Sequence, residues 1–220
     1  VDVHRYLAEL RDQQVKLVAI EVSSHGLSQG RIDGVSFEGA VFTNLSREHL
    51  DYHGTMQNYA EAKRALFNSE GLRFAVINND DPYARDMLVG VPKDLRLIRY
   101  GIENLSDIKA ESCQFGSGVS GGVNADVKTP LGHLFLESEL IGSFNLSNLL
   151  AVIGVAVAKG HTLENLKEIQ NVASVVGRME EVKIKNQPRV VVDYAHTPDA
   201  LKSALEALRV HCTGQMFVVF

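Results

Sequence analysis

Lys16-Leu-Val-Ala-Ile-Glu-Val-Ser-Ser-His-Gly-Leu-Ser-Gln-Gly-Arg31 and, shortly after it, Phe37-Glu-Gly-Ala-Val-Phe-Thr-Asn-Leu-Ser-Arg-Glu-His-Leu-Asp51 carry the reading of the fold. Each opens on a short apolar run, Lys16 to Ile20 and Phe37 to Phe42, with β-branched or aromatic content and polar, glycine-containing borders. Such runs are expected of strands covered on both faces. Each is followed by residues able to do chemistry, Glu21 after the first and His49 after the second. Open α/β sheets place ligand-contacting groups just beyond their strand ends, so this placement marks a candidate site.

Working outward, helical sequence over 3–14, 55–69 and 81–89 alternates with strand-like sequence over 16–22, 37–43, 73–78 and 95–100. The alternation predicts an α/β fold, a mostly parallel sheet with helices on its faces. Ile108 to Phe115, Gly122 to Lys128 and Leu134 to Ile141 alternate polar and apolar residues, and predict a small antiparallel subsheet. Helices over 145–159 and 163–172 then close this part of the chain. Strands over 181–185 and 189–194, a helix from Asp199 to Val210 and a strand over 216–220 begin a second α/β unit. Thr197 and Pro198 read as the N-cap and first position of that helix. Gly116-Ser-Gly-Val-Ser-Gly121 fits G-x-G-x-x-G, but strand-like sequence follows it where a dinucleotide turn needs a helix. A hairpin loop is the expectation there.

At 220 residues and 45% hydrophobic content the chain can bury a substantial core, in one domain or two. A net charge of −5 gives no reason to expect nucleic acid or anionic membrane as a partner. Cys113 and Cys212 are far apart and lack Cys or His neighbours at zinc-ligand spacing. With no signal-like start and no apolar run long enough to span a bilayer, the cytoplasm is the expected location.

A carboxylate and an imidazole beyond strand ends can hold a divalent ion. Glu21 offers the oxygen that magnesium prefers, whereas the spacing alone fits zinc, or no metal, equally well. Lys63, read by itself, is a solvated helix lysine. Arg31 has the planar fork that binds carboxylate or phosphate, or else pairs with Asp33 or Glu38 on the surface. Asn145 and Asn148 should share one face of a helix's first turn, with Ser143 or Asn145 equally readable as its N-cap.

Five blocks in order carry a resemblance that spans nearly the whole chain. They are Glu21-Val-Ser-Ser-His-Gly-Leu27, Thr43-Asn-Leu-Ser-Arg-Glu-His-Leu-Asp-Tyr-His-Gly54 with Tyr59-Ala-Glu-Ala-Lys63, Gly142-Ser-Phe-Asn-Leu-Ser-Asn148, Gly177-Arg-Met-Glu180 and Val192-Asp-Tyr-Ala-His-Thr-Pro-Asp-Ala200. The chain resembles the Mur ligases, ATP-dependent amino-acid ligases of peptidoglycan precursor synthesis, and among them those that add the third residue of the peptide. The resemblance implies a central ATP-binding domain over 1–177 and the start of a Rossmann-like C-terminal domain over 178–220. It implies that Glu21 and His49 are magnesium ligands, joined by Lys63 once carbon dioxide has carbamylated it. Ser23, Gln29 and Arg31 would hold the UDP-muramoyl-dipeptide, Asn145 and Asn148 the nucleotide base, Arg178 the ATP phosphates and Asp193 the ribose. The substrates implied are UDP-MurNAc-L-Ala-D-Glu, ATP and a diamino acid, with general similarity leaning to meso-diaminopimelate, and the parent enzyme is expected to be monomeric. His196 is given no role beyond shaping the turn before Pro198.

One family feature is missing. The glycine-rich phosphate loop ending in Gly-Lys-Thr or Gly-Lys-Ser does not occur in these 220 residues, and both ends read as cut. The chain is therefore expected to be an excerpt that does not ligate alone. Two other readings are a folylpolyglutamate synthetase-like ligase, which shares the Tyr-Ala-His-x-Pro-Asp block, and a non-catalytic nucleotide- or UDP-sugar-binding module. Ser-Ser-His-Gly-Leu and Asp-Tyr-His-Gly favour the muramoyl ligase.

Overall fold

The computed structural model describes residues 2–116, 121–182 and 184–220. In chain order the elements are α1 (Asp2–Asp12), α2 (Ser24–Ser28), β1 (Gly39–Phe42), α3 (Leu50–His53), α4 (Met56–Arg64), β2 (Phe74–Asn78) and β3 (Arg96–Gly101). Then come β4 (Ile108–Phe115), β5 (Val123–Thr129), β6 (Gly132–Ser138), α5 (Ser143–Ala158), α6 (Leu163–Leu166), β7 (Glu180–Val182), β8 (Val190–Val192) and α7 (Pro198–Arg209). One sheet has six strands in the order β1-β2-β3-β4-β5-β6, and a second pairs β7 with β8. β3 and β4 run parallel, whereas β4, β5 and β6 are antiparallel, with a register shift between Ala110 and Ser112. The expected α/β class and mostly parallel sheet are therefore present, and the antiparallel strands continue that sheet. The G-x-G-x-x-G stretch lies mostly outside the described residues.

The chain packs as two compact units, Val1–Ala75 with Asp81–Leu97, and Val76–Asp80 with Ile98–Phe220. In the first, the polar caps are local: Thr55 Oγ1 accepts from the Asn58 N–H at 3.1 Å and opens α4. In the second, α5 buries Leu146, Leu149, Leu150, Ile153 and Val157 along one stripe. A Cβ at Gly154 would stand 2.6 Å from Val76 Cγ1, so this helix and β2 approach as closely as a glycine allows. Ile141, Met179, Ala204 and Ala207 form a further buried cluster, which carries α7.

Five expectations need correction. Residues 16–22 are extended but form no strand, and Leu17 is 63% exposed. Their backbone groups find no partner strand among the described residues, and an apolar run is a strand only when a neighbour takes its hydrogen bonds. For the same reason 216–220 is not a strand, and Phe220 is fully exposed. Residues 81–89 are turns ending in a 3₁₀ segment, Asp86–Leu88. Asp81 explains this: Oδ1 accepts from the Tyr83 N–H at 2.8 Å and Oδ2 from the Leu45 N–H at 2.9 Å, which sets a local turn in place of a helix start. Finally, the N-cap of α5 is Gly142, at φ 93° with no side-chain cap, and neither Ser143 nor Asn145. The expected helix over 163–172 is one α turn, with a Thr162–Asn165 capping box, followed by a 3₁₀ segment.

His211 is buried and bridges two backbone groups: Nδ1 lies 2.7 Å from the Gly116 carbonyl, and the Gly142 N–H reaches Nε2 at 3.3 Å. The partners assign a neutral ring protonated on Nδ1. Burial holds its pKa below the usual histidine value and Arg189 adds to the lowering, while the Gly116 bond and Glu181 oppose it.

Two predictions follow from this packing. Gly154→Val should destabilise the protein by about 1–3 kcal/mol through overpacking against Val76, read from the shift of a denaturant midpoint. For His211, the unfolded chain takes up a proton at higher pH than the folded one. Its contribution is thus complete above about pH 6.5 and is lost as pH falls below that value. The loss of unfolding free energy between pH 7.5 and pH 5.5 should be smaller in His211→Phe than in the parent; equal losses would remove His211 from the pH dependence.

Candidate active site

In the first unit the site is built from three short helices. Ser23 has extended φ/ψ and caps α2, its Oγ accepting from the Gly26 N–H at 3.0 Å. Gln29 ends the same helix, and its Oε1 accepts from Arg31 Nη2 at 2.6 Å. Ser23, Gln29 and Arg31 are thus carried by one turn of helix and its exit, and all three are exposed.

His49 enters α3 in the left-handed region, at φ 58°, which is uncommon outside glycine and is found where a side chain must be aimed. Its ring meets His25 edge-on with centroids 4.9 Å apart, and Tyr59 at 5.8 Å. At the end of α3, buried His53 places Nε2 2.9 Å from Ser24 Oγ and stacks on Tyr59 at 5.1 Å. One turn beyond Tyr59 on α4, Lys63 Nζ stands 5.5 Å from the Tyr59 centroid.

Burial lowers the pKa of Lys63, while the charges of Glu21 and Glu48 act in the opposite direction. Burial, assisted by Glu48, pushes Tyr59 up to about 12. His53 is lowered by burial first, then by His25, His49 and Lys63, against Asp51. Glu21 is therefore a charge neighbour of Lys63, and Lys63 shares the Tyr59 ring with His49.

Among the described residues, no three His, Cys, Asp or Glu side chains gather so as to hold a metal ion. Glu21 and Glu48 supply hard oxygen near Lys63, whereas an ammonium repels cations. The donor chemistry suits magnesium only if Lys63 bears an anionic group, as a carbamate would supply.

The remaining candidates belong to the second unit. Asn145 Nδ2 donates to the Ile141 carbonyl at 2.8 Å, and Asn148 Nδ2 to Asn145 Oδ1 at 3.4 Å, so the two do share a face of α5. Asp193 accepts two backbone N–H groups, from Met179 at 2.9 Å and from Ala195 at 2.9 Å. The Arg178 guanidinium lies 4.9 Å over the Tyr194 ring. His196 Nδ1 is 3.1 Å from the Tyr194 carbonyl.

Sequence reasoning passed over Ser24, His25, Glu48, His53, Tyr59 and Tyr194. For Tyr59 a signal existed, because it precedes Lys63 by four residues on a helix. For the Ser24–His53 bond none did, since the two are 29 residues apart.

Residues 1–156 match the Mur ligase middle domain, and residues 177–220 the Mur ligase glutamate ligase domain. The UDP-N-acetylmuramoyl-L-alanyl-D-glutamate--2,6-diaminopimelate ligase of Coxiella burnetii is 42% identical over 223 residues, covering 100% of this chain and 46% of its own length. That of Pseudomonas aeruginosa is 46% identical, covering 99% of this chain and 44% of its own. A solved structure of a ligase of that name superposes with a TM-score of 0.75 at 38% identity, covering 89% of this chain and 40% of the other. The chain spans less than half the length of these relatives. With matches to two Mur ligase domains in order and such identity along its length, the chain belongs to the Mur ligase family.

Proposed function

We propose that this chain is part of an ATP-dependent ligase that adds a diamino acid, meso-diaminopimelate, to UDP-MurNAc-L-Ala-D-Glu in peptidoglycan precursor synthesis. ATP transfers its γ-phosphoryl group to the side-chain carboxylate of the D-glutamate, giving an acyl phosphate and ADP. The amine of the diamino acid attacks the acyl carbon, phosphate leaves with the bonding pair, and the amine proton passes to base as the amide forms.

Ser23, Gln29 and Arg31 hold the muramoyl dipeptide, with Arg31 opposing its negative charge. Asn145 and Asn148 contact the nucleotide base, and Asp193 accepts from the ribose hydroxyls. Arg178 is drawn to the phosphates from its place on Tyr194. The C-terminal domain begins at residue 178, and domain closure would complete the site. Glu21, His49 and a carbamylated Lys63 would hold magnesium, whose charge would offset that of the phosphate oxygens. Carbamylation needs a neutral amine: its lone pair forms the N–C bond to carbon dioxide, and one proton leaves. The protein works as a monomer in the cytoplasm, in the wall synthesis on which cell shape and division depend.

The observation that carries this reading is Lys63, half-buried beside the Tyr59 ring that His49 also meets, with the charges of Glu21 and Glu48 near it, in a chain 42–46% identical to named diaminopimelate ligases. The polypeptide in its full natural length, given ATP, magnesium and UDP-MurNAc-L-Ala-D-Glu, should form product with meso-diaminopimelate and not with L-lysine. Product with lysine alone would reverse the amino-acid assignment, and product with neither would overturn the reaction. In that protein Lys63→Ala should cost about 10²–10³ in kcat, the scale of one preorganised stabilising group. Short carboxylic acids should restore part of it; full activity without them would remove Lys63 from the mechanism.

A further inference from the structure

The block Tyr59-Ala-Glu-Ala-Lys63 sends two side chains to one face of α4, because residues four apart on a helix lie one above the other. Only the lysine has a role in the reaction above. Yet Tyr59 is just 4% exposed, and its ring meets two of the three residues of the candidate magnesium site, His49 and Lys63. His49 meets the ring edge-on, with planes 89° apart. Lys63 places its Nζ over the same ring. His53 stacks on it with planes only 16° apart and is itself bonded to Ser24 of α2, at the helix capped by Ser23.

We propose that Tyr59 is a positioning residue whose ring sets His49 and Lys63 relative to each other, so that the carbamate and the imidazole reach one cation together with Glu21. This rests on the ligand set proposed above. The physical need is clear from the ligands themselves. Lys63 ends a flexible four-carbon stem, and His49 projects from a short left-handed turn, so neither fixes its own head group. A metal site is only as exact as the packing that locks its ligands. A buried aromatic ring, with two torsions and broad faces, can hold both. Its contacts with His49, His53 and Lys63 are made by the ring, so the ring and not the hydroxyl is the acting part. Through His53 and Ser24 the same ring also ties α4 to the helix that carries the proposed dipeptide contacts.

The test uses the full-length protein equilibrated with ¹³C-bicarbonate, with the Lys63 carbamate carbon read by ¹³C NMR and magnesium affinity by calorimetry. Tyr59→Leu should weaken magnesium binding by about tenfold or more, in the range typical of outer-shell partners, and diminish the carbamate signal. Tyr59→Phe keeps the ring and should rescue both. Should the leucine variant fail to fold, Tyr59→Met, which fills the space with a flexible chain, serves in its place with the same expectation. A folded leucine or methionine variant with unchanged signal and affinity overturns the proposal. So does an equal loss in Tyr59→Phe, which would transfer the role to the hydroxyl. A parent protein with no carbamate signal and no magnesium binding fails before any substitution is made; that result removes the ligand set, and this proposal with it.

Discussion

Helix α5 can lie on strand β2 only because residue 154 has no side chain. The Val76 methyl occupies the space that a Cβ would need, and this close approach lets five large residues of the helix bury along one stripe. All five positions of β2 are buried in turn. The first two turns of α5 carry Asn145 and Asn148, so the placement of the proposed base contacts follows from a packing decision made about two turns away. Such an interface is close-packed and tolerates little change in volume.

The candidate site is made differently. It is assembled from helices of four to nine residues, α3, α2 and α4, too short to be stable by themselves. What holds them are individual polar and aromatic contacts: the caps of Ser23 and Thr55, the Ser24–His53 bond, the Asn58 amide on the His53 carbonyl at 2.9 Å, and the Tyr59 ring. The second unit is thus held by buried apolar surface and the site in the first by directional contacts, which fix geometry more tightly than they add stability.

This difference decides what the sequence discloses. Strands β2 to β6 and helices α5 and α7 were legible because each imprints its own period and borders on a continuous stretch of residues. Lys16 to Ile20 imprints the same signal and is not a strand, since pairing depends on a partner and not on the run itself. Asp81 to Val89 reads as helix until the Asp81 carboxylate takes the Tyr83 and Leu45 amides. In the site, Glu21, His49 and Lys63 stood out as chemically able residues beyond apolar runs and within ordered motifs. Tyr59 and His53 did not, because a buried aromatic on a helix is indistinguishable in sequence from ordinary core. Their significance lies in which rings they face, and that is a property of three dimensions only.

Asp193 shows how an exposed loop can be made ready in advance. Its two carboxylate oxygens have about four acceptor positions. Two of these accept the amides of Met179, itself at φ 48°, and Ala195, which fastens the turn after β8 to the start of β7. The others stay open to solvent. A sugar hydroxyl arriving there would displace water and leave the loop's own bonds intact. The cost of ordering this loop is therefore met during folding, so the ribose contact proposed for Asp193 would need little rearrangement.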